Sequence, residues 1–275
     1  MSNISPQAII SSEVTIGKNV SISPFCIIEG DVTIGDNTVI YPYVHIKGPV
    51  IIGQNNQIFN NVTIGLAPQD LSGQKSSHSI IIGNNNILRE NVTVHAPVFY
   101  EDSSISVNTV IGNNCFLMVN SHVSHNTVLK NGVIFANGVL GAGCCTFDNN
   151  VFISGGVLVH QHVHIGEHVM ISGGSRIGRN IPPFMMVSSF YGLISGINSV
   201  GLRRANFSIE DRKIIKDIFR IFKETNSLNP AREAIYNKYN TIDSQVVQKT
   251  LDFLKSCKRG ISEFAEGQDV KNSVF

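Results

Sequence analysis

The sequence carries almost no net charge and no segment typical of an export signal or a membrane span. Its 21 Lys and Arg against 20 Asp and Glu leave a formal charge of +1, which gives no global attraction to nucleic acid or to an anionic membrane. Residues 1–10 lack a basic stretch followed by an apolar core, and no window approaches the roughly 18 apolar residues of a membrane span. We therefore expect a soluble, cytoplasmic protein without a nucleic-acid partner.

Cysteine is scarce, and its spacing fits neither a disulfide framework nor a metal site. The chain has 5 cysteines, an odd number without metal-type spacing, which fits a reducing compartment. We interpret the adjacent Cys144 and Cys145 as packing residues rather than as a redox pair.

An isoleucine recurs at every sixth residue from Ile4 to Ile64. A period of six is neither the helical 3.6 nor the register of an ordinary sheet, and it indicates a parallel β-helix in which each hexad forms one side of a coil. The period is interrupted twice and continues one residue out of phase from Ile111 to Ile177. These interruptions predict extruded loops at residues 66–79 and 96–108, in a stack of roughly nine coils about 4.8 Å apart. Asparagines at the corners suit a left-handed backbone: Asn19, Asn37, Asn55, Asn85 and Asn113.

The composition changes toward the C-terminus. Pro182 and Pro183 are expected to end the β-helix, which we assign to residues 1–187, because proline lacks the N–H that another coil would use. Residues 188–207 form a connector, 208–260 a helical domain and 261–275 a tail that we expect to be partly disordered. Residues 203–260 hold 13 Lys or Arg and 7 Asp or Glu, a local charge of about +6.

The registers bring polar residues of the second half into line. Because one coil is about 18 residues, His125, Gly143 and Gln161 occupy equivalent positions in three successive coils. An imidazole is a common general base near neutral pH, and a glycine N–H can stabilise an oxyanion, so this pairing suits acyl transfer. Stacked histidines are also compatible with surface or subunit contacts. A zinc site would need three ligands and a carboxylate at a spacing that nothing here fixes, so we expect no metal ion.

The predicted shape favours self-association. A three-sided prism with flat faces suits a closed cyclic homotrimer, with chemistry in clefts between subunits. A purely structural role, as in antifreeze or adhesin solenoids, is disfavoured because loops break the repeat and polar groups cluster in its second half.

At these residues the chain resembles the acyl-carrier-protein-dependent UDP-N-acetylglucosamine acyltransferases that begin lipid A synthesis. The resemblance covers the first hexads to about Gly260. It rests on six segments: PQDL at 68–71, RENVTVH at 89–95, LMVNSHVSHN at 117–126, VHQ at 159–161, IPPF at 181–184 and GINSVGLRRANFS at 196–208.

The resemblance implies a left-handed parallel β-helix with a C-terminal helical domain, assembled as a homotrimer. It implies His125 as general base, paired with residue 126, and the Gly143 N–H as oxyanion donor. No cofactor is implied, since acyl-acyl carrier protein is a co-substrate. Gly173 is expected to leave room for a longer acyl chain, and the nucleotide-sugar site is expected to include Asp70, His122, His160, Gln161, Asn198 and Arg204.

The chain departs from the family at several of these positions. The family has an aspartate where this chain has Asn126 and a histidine where it has Cys144, and Ser72 and Val200 replace a lysine and a glutamate that are typical there. An amide can orient a histidine but cannot stabilise an imidazolium by charge. One hypothesis is a 3-amino acceptor, since an amine demands less of its base. The same departures would also fit a coenzyme A-dependent N-acyltransferase or acetyltransferase, or a catalytically impaired paralogue.

Overall fold

The structure is a computed structural model that describes residues 2–71, 74–102, 105–225, 227–257 and 259–265. The helices are α1 (Ser199–Arg204), α2 (Ile209–Thr225), α3 (Leu228–Tyr239) and α4 (Gln245–Ser256). The strands are short, mostly two or three residues, and follow one another closely along the chain: β1 (Asn3–Ile4), β2 (Ile9–Ile10), β3 (Thr15–Ile16), β4 (Ser21–Ile22), β5 (Ile27–Glu29), β6 (Val32–Ile34), β7 (Val39–Ile40), β8 (His45–Lys47), β9 (Val50–Ile52), β10 (Gln57–Ile58), β11 (Thr63–Leu66), β12 (Gln74–Lys75), β13 (Ile80–Ile82), β14 (Ile87–Leu88), β15 (Thr93–His95), β16 (Val98–Phe99), β17 (Thr109–Ile111), β18 (Phe116–Leu117), β19 (His122–Val123), β20 (Val128–Leu129), β21 (Ile134–Phe135), β22 (Leu140–Gly141), β23 (Thr146–Phe147), β24 (Phe152–Ile153), β25 (Leu158–Val159), β26 (His164–Ile165), β27 (Met170–Ile171), β28 (Arg176–Ile177), β29 (Met185–Val187) and β30 (Ile194–Ile197).

Three parallel sheets form the sides of a prism, and the chain visits them in turn. Sheet A holds β1, β4, β7, β10, β14, β18, β21, β24, β27 and β29, with β30 added antiparallel. Sheet B runs from β2 to β28 and sheet C from β3 to β26. Paired strands lie 18 residues apart where no loop intervenes, as Ile22 pairs with Ile40. The parallel β-helix that the six-residue period predicts is confirmed, with about ten coils rather than nine.

The isoleucine column lies inside the prism. Ile22, Ile40 and Ile58 are at most 1% exposed, and burying each such side chain stabilises the fold by about 1.5 to 3 kcal/mol. Ile4 in the first coil is 42% exposed, because only one neighbouring coil covers it. These isoleucines, the buried anchors of the hexads, therefore contribute most to stability where a coil is stacked on each side of them.

The corners follow the anchors at a fixed distance. A left-handed residue stands three positions after the anchor at many corners, and Asn19, Asn37, Asn55 and Asn85 have φ between 55° and 59°. Asparagine tolerates this conformation better than most residues. Asn113 was the wrong choice: the left-handed residue is Asn114, with φ 57°, because it stands three positions after Ile111.

The C-terminal end of the stack differs from the prediction. Pro182 and Pro183 do not end the coil, since Ile181 pairs with Ile165 and β29 pairs in parallel with β27. The two prolines lie in the turn between Ile181 and β29, where no ladder hydrogen bond is lost. Strand β30 then reverses onto β29 and covers the last coil.

The helical domain packs on this capped end. The Ser208 hydroxyl accepts a hydrogen bond from the Asp211 N–H at 2.9 Å and so caps the start of α2. Helix α3 begins at Leu228 and has Pro230 in its first turn, where a missing backbone N–H costs no helical hydrogen bond. Ile261 bridges to Asn180, and the tail beyond residue 265 lies outside the described residues. None of the helices in the described ranges is long and apolar enough to cross a membrane.

Candidate active site at the corner between sheets B and C

Both extruded loops leave the β-helix at one corner, the corner between sheets B and C. The first connects β11 to β13 and the second connects β15 to β17. The turns with His125, Gly143 and Gln161 lie at this same corner. The Cys144 N–H donates to the His125 carbonyl at 3.0 Å and the His162 N–H donates to the Gly143 carbonyl at 3.1 Å. The three positions are therefore stacked as the register predicts, with the loops beside them.

The two loops are joined to each other. Strand β12 of the first loop pairs antiparallel with β16 of the second. The Tyr100 hydroxyl of the second loop donates to Asp70 Oδ2 of the first at 2.5 Å. Burial, and then this hydrogen bond, raise the pKa of Tyr100 well above its usual range, so the phenol stays a donor.

His125 is buried and has a defined tautomer. Its Nδ1 lies 3.0 Å from Asn126 Oδ1. The Asn126 amide nitrogen donates to the Val98 carbonyl at 2.8 Å and to the Ser106 carbonyl at 2.7 Å, and its oxygen accepts from the Val98 N–H at 2.9 Å. Because two carbonyls fix the amide nitrogen, the amide oxygen faces the ring. Nδ1 must then carry the hydrogen, and Nε2 presents its lone pair.

The Nε2 atom of His125 has a carboxylate close by but no hydrogen bond. It is buried without a hydrogen-bond partner among the described residues, and Asp70 Oδ2 lies 3.7 Å away. That separation is too long for a direct hydrogen bond. The Nε2 lone pair can therefore take a proton from a group that bridges these two acceptors.

Gly143 is required by the position of the His125 ring. A Cβ at residue 143 would lie 2.3 Å from both Cε1 and Nε2 of His125, so no other residue fits without moving the ring. The neighbouring Ala142 and Cys144 N–H groups donate to coil carbonyls. The Gly143 N–H has no acceptor within the described part of the chain, and it lies beside the ring.

Cys144 lies next to Tyr100, where the resemblance places a histidine. Burial raises the pKa of the Cys144 thiol to about 11, so the thiol stays protonated near neutral pH. It is consequently a weak nucleophile here. All five cysteines are free thiols, with Cys145 buried and Cys144 half-buried, and the interpretation of the pair as packing residues stays a prediction.

His122 lies on the outward face of sheet B. Its Nδ1 is 2.7 Å from Thr93 Oγ1, and its ring meets that of His95 edge-on at 5.0 Å. Burial, followed by the charges of His95 and His125, lowers the pKa of His122 to about 4. His122 is therefore a neutral polar group at physiological pH.

His160 and Gln161 contact the helical domain through Arg259. The Arg259 guanidinium lies 2.9 Å from His160 Nδ1 and donates to the Gln161 carbonyl. Arg259 was not predicted, because it is 98 residues from Gln161 and lies outside any repeat. A groove of about 800 Å³ extends from Asn126, Cys144 and His162 to helix α4.

The remaining predicted residues lie away from this corner in the same chain. Gly173 is in the turn from β27 to β28, between sheets A and B. Asn198 caps α1, and its side chain donates to the His168 carbonyl at the corner between sheets C and A. Arg204 is exposed in the last turn of α1. One chain therefore does not bring Gly173, Asn198 or Arg204 to His125.

No metal centre is evident in the described ranges. Three or more His, Cys, Asp or Glu side chains nowhere group there so as to hold a metal ion. The expectation of a metal-free, cofactor-free site stays a prediction.

The chain matches known families along most of its length. Residues 31–66 and 108–140 match the bacterial transferase hexapeptide repeat, and residues 180–262 match domain 2 of UDP-N-acetylglucosamine O-acyltransferase. An acyl-[acyl-carrier-protein]–UDP-N-acetylglucosamine O-acyltransferase of Nautilia profundicola is 39% identical over 262 residues, which cover 95% of this chain and 98% of that protein.

Solved structures agree with the sequence relatives. LpxA, a UDP-N-acetylglucosamine acyltransferase from Bacteroides fragilis, is 36% identical with a TM-score of 0.86, over 94% of this chain and 98% of that one. The Francisella novicida UDP-N-acetylglucosamine acyltransferase is 30% identical with a TM-score of 0.87, over 98% and 96%. These matches confirm the predicted fold class, a left-handed parallel β-helix with a C-terminal helical domain. The chain therefore belongs to the acyl-[acyl-carrier-protein]–UDP-N-acetylglucosamine O-acyltransferase family, the acyltransferases of lipid A biosynthesis.

Proposed function

We propose that this protein transfers a 3-hydroxyacyl chain from acyl carrier protein to the 3-position of a UDP-N-acetylglucosamine-type sugar in the cytoplasm. His125 is the general base and the Gly143 N–H is the oxyanion donor. The names of the relatives support the donor and the acceptor. The observation that carries the proposal is the His125 ring, which has a fixed tautomer and an unpartnered Nε2 directly over Gly143.

These residues suffice for acyl transfer, because the proton that His125 takes from the nucleophile is returned to the leaving group. His125 Nε2 accepts the proton of the 3-position nucleophile as that atom attacks the carbonyl carbon of the thioester. The carbonyl electron pair moves to oxygen, where the Gly143 N–H donates to the oxyanion. The carbon–sulfur bond then breaks, the carbonyl re-forms, and the leaving thiolate takes the proton from His125. The base returns to its neutral form.

The other site residues have roles in the binding of the two substrates. We assign Asp70, His122, His160 and Gln161 to the sugar nucleotide because they surround the corner that carries His125. The groove of about 800 Å³ offers the donor thioester a route from helix α4 to this corner. The helical domain beside this groove is basic, and its positive charge would attract an acidic carrier protein.

Gly173, Asn198 and Arg204 complete the site from neighbouring subunits of a homotrimer. Within one chain they lie away from the corner that carries His125, so they contribute only if copies of the chain pack side by side. Exposed apolar side chains on the outward face of sheet B favour such packing, with Ile27 at 38%, Leu140 at 45% and Leu158 at 40% exposure.

A subunit-mixing experiment tests the shared site. His125→Ala and Arg204→Ala subunits are each expected to be nearly inactive alone. Suppose that one site takes residue 125 from one subunit and residue 204 from its neighbour. Subunits co-expressed at equal ratio will then regain about a quarter of the wild-type rate, because both residues are unsubstituted in that fraction of the sites. No recovery, together with a monomeric mass in solution, would rule out the shared site.

A second candidate is an acceptor with a 3-amino group, which would give an amide product. Two acceptors, His125 Nε2 and Asp70 Oδ2, lie 3.7 Å apart, and an amine can donate one N–H to each, whereas a hydroxyl has a single hydrogen. Asn126 fits this candidate as well, because an amine needs a weaker base.

An assay of purified protein separates these functions. Acyl carrier protein and coenzyme A thioesters of several chain lengths are offered with acceptors that carry 3-OH or 3-NH₂. A preference for the hydroxyl contradicts the amine candidate, and consumption of only the coenzyme A thioester contradicts the carrier-protein donor. No turnover with any pair, and no effect of His125→Ala, would indicate an impaired paralogue.

A further inference from the structure

The two loops, Asn126 and His125 form one connected polar assembly, which we call the loop clamp: Asp70, Val98, Tyr100, Ser106, His125 and Asn126. Asn126 is 2% and His125 is 1% exposed, so the contacts within it are shielded from water. Each contact of the Asn126 side chain reaches either the catalytic ring or the second loop. The loop clamp therefore couples the position of the loops to the state of His125.

Asn126 makes contacts that a carboxylate could not make. Its amide nitrogen donates to two carbonyl oxygens at 2.7 and 2.8 Å. An aspartate would place an acceptor oxygen against those two acceptors, which leaves buried groups unsatisfied and repelling one another. The path of the second loop therefore depends on an amide at residue 126.

The neutral amide leaves His125 without a counter-charge on its Nδ1 side. Asp70 is the carboxylate paired with the ring, on the Nε2 side. Three histidines also face the ring, and burial lowers the pKa of His95, His122 and His162, so they add no positive charge near neutral pH. Arg259 and Asp102 act on His162 with opposite signs.

Tyr100 holds one carboxylate oxygen of Asp70. The 2.5 Å hydrogen bond from the phenol holds Oδ2, the same oxygen that lies 3.7 Å from Nε2. Tyr100 in turn follows β16, whose Val98 is bonded to Asn126 through both its N–H and its carbonyl. The carboxylate is thus aimed at the ring through a chain of hydrogen bonds that begins at Asn126.

We propose that Tyr100 and Asn126 are positioning residues, and that Asp70, from the Nε2 side, stabilises the imidazolium that His125 becomes during the reaction. Tyr100 fixes the carboxylate, and Asn126 fixes both the tautomer of the ring and the loop that carries Tyr100. This inference rests on the proposed role of His125 as general base. It explains how a chain without an aspartate at residue 126 still supplies a negative charge to its base.

Steady-state kinetics over a range of pH test the proposal. Tyr100→Phe is expected to lower kcat/KM about tenfold, since a slightly misplaced group costs this much or more. Asp70→Asn should lower it further and shift the acidic limb of the kcat/KM profile to lower pH, because loss of a nearby negative charge disfavours a protonated ring. Asn126→Asp should lower kcat/KM as well, although it restores the residue typical of the family.

Two matched controls separate positioning from general damage. Tyr43→Phe alters an exposed tyrosine outside the loop clamp, and Asn114→Asp alters an exposed asparagine with φ 57°, the same value as Asn126. Both should keep wild-type kcat, KM and pH profile. Thermal unfolding of every variant shows whether a loss of activity merely follows a loss of structure.

Three outcomes would overturn the proposal: a Tyr100→Phe enzyme with unchanged kcat/KM, an Asp70→Asn enzyme with an unmoved acidic limb, or an Asn126→Asp enzyme with a higher kcat/KM than wild type. His125→Ala distinguishes the two levels of inference. If this variant is inactive while Tyr100→Phe equals wild type, only the loop clamp fails. If His125→Ala retains full activity, the proposed function itself fails.

Discussion

The coils before Ile64 and the coils from Ile111 to Ile177 share one backbone but differ in what they bury. In the first group the inward anchors are isoleucines, and the charged contacts, such as Glu29 with Lys47, are half exposed. In the second group the buried set includes His125, Asn126 and Asp148. A stack of equivalent coils can therefore separate stability from chemistry along its axis.

The inward-facing side chains of the second group also vary in volume. Gly141 stands at an anchor position, and the Phe135 ring is 3.4 Å from where its Cβ would be. Phe135 and Phe147 meet edge to face at 4.9 Å. Two rings therefore fill the space that isoleucines fill in the first group, and the packing stays dense.

The largest expected effect lies in the second group, at Gly143. Gly143→Ala forces a Cβ to within 2.3 Å of the His125 ring, so the base moves, and kcat/KM should fall about 100-fold or more. Steady-state kinetics measure the loss. Gly178→Ala is the control, because a Cβ there meets nothing within 4 Å. Equal kcat/KM values for the two variants would contradict the separation of stability from chemistry between the two groups of coils.

The first group should respond to substitution through stability alone. Ile52→Ala removes a side chain that is 1% exposed, and the free energy of unfolding should fall by about 2 to 5 kcal/mol. Urea denaturation measures the change. Ile51→Ala, one residue away and 48% exposed, should cost less than about 1 kcal/mol. A loss of kcat in folded Ile52→Ala would show that the two groups are coupled.

Acid should weaken the second group through His122. The pKa of His122 in the fold is about 4, below the ordinary value of about 6.5. Between these values the unfolded chain binds more protons, so the stability that neutral His122 contributes is complete above about pH 6.5 and is lost as pH falls toward 4. The melting temperature should drop between pH 7 and 5, and less in His122→Gln. If the melting temperature of His122→Gln falls as far as that of the wild type, other titratable groups cause the effect.

The smallest expected effect concerns a corner of the stack. Asn85 has φ 59°, and Asn85→Ala should cost about 1 kcal/mol because alanine is strained in this conformation. Asn85→Gly should cost less, since glycine has no Cβ to strain. Denaturation curves of the two variants decide the order. If alanine is the better tolerated, backbone conformation does not explain the asparagines at the corners.

The sequence predicts the parts of this molecule that repeat. The period of six identifies the anchors, the coils and the alignment of His125 with Gly143, because each depends on local spacing. It does not reveal the hydrogen bond between Tyr100 and Asp70, since both residues lie in loops without a period. Arg259 was missed for a related reason, as its partners lie almost 100 residues earlier. The departure at Asn126 was visible, but its two carbonyl partners were not.

Strand β30 has a consequence for how copies of this protein meet. A parallel stack with a bare final coil would expose a row of unpaired N–H and C=O groups, which another chain could continue. Here β30 runs against the direction of the stack and occupies that row on sheet A. The parallel ladder of sheet A therefore ends at β29, and a second molecule would meet β30 rather than a bare parallel edge. The stack of coils is thereby kept to a finite length on this sheet.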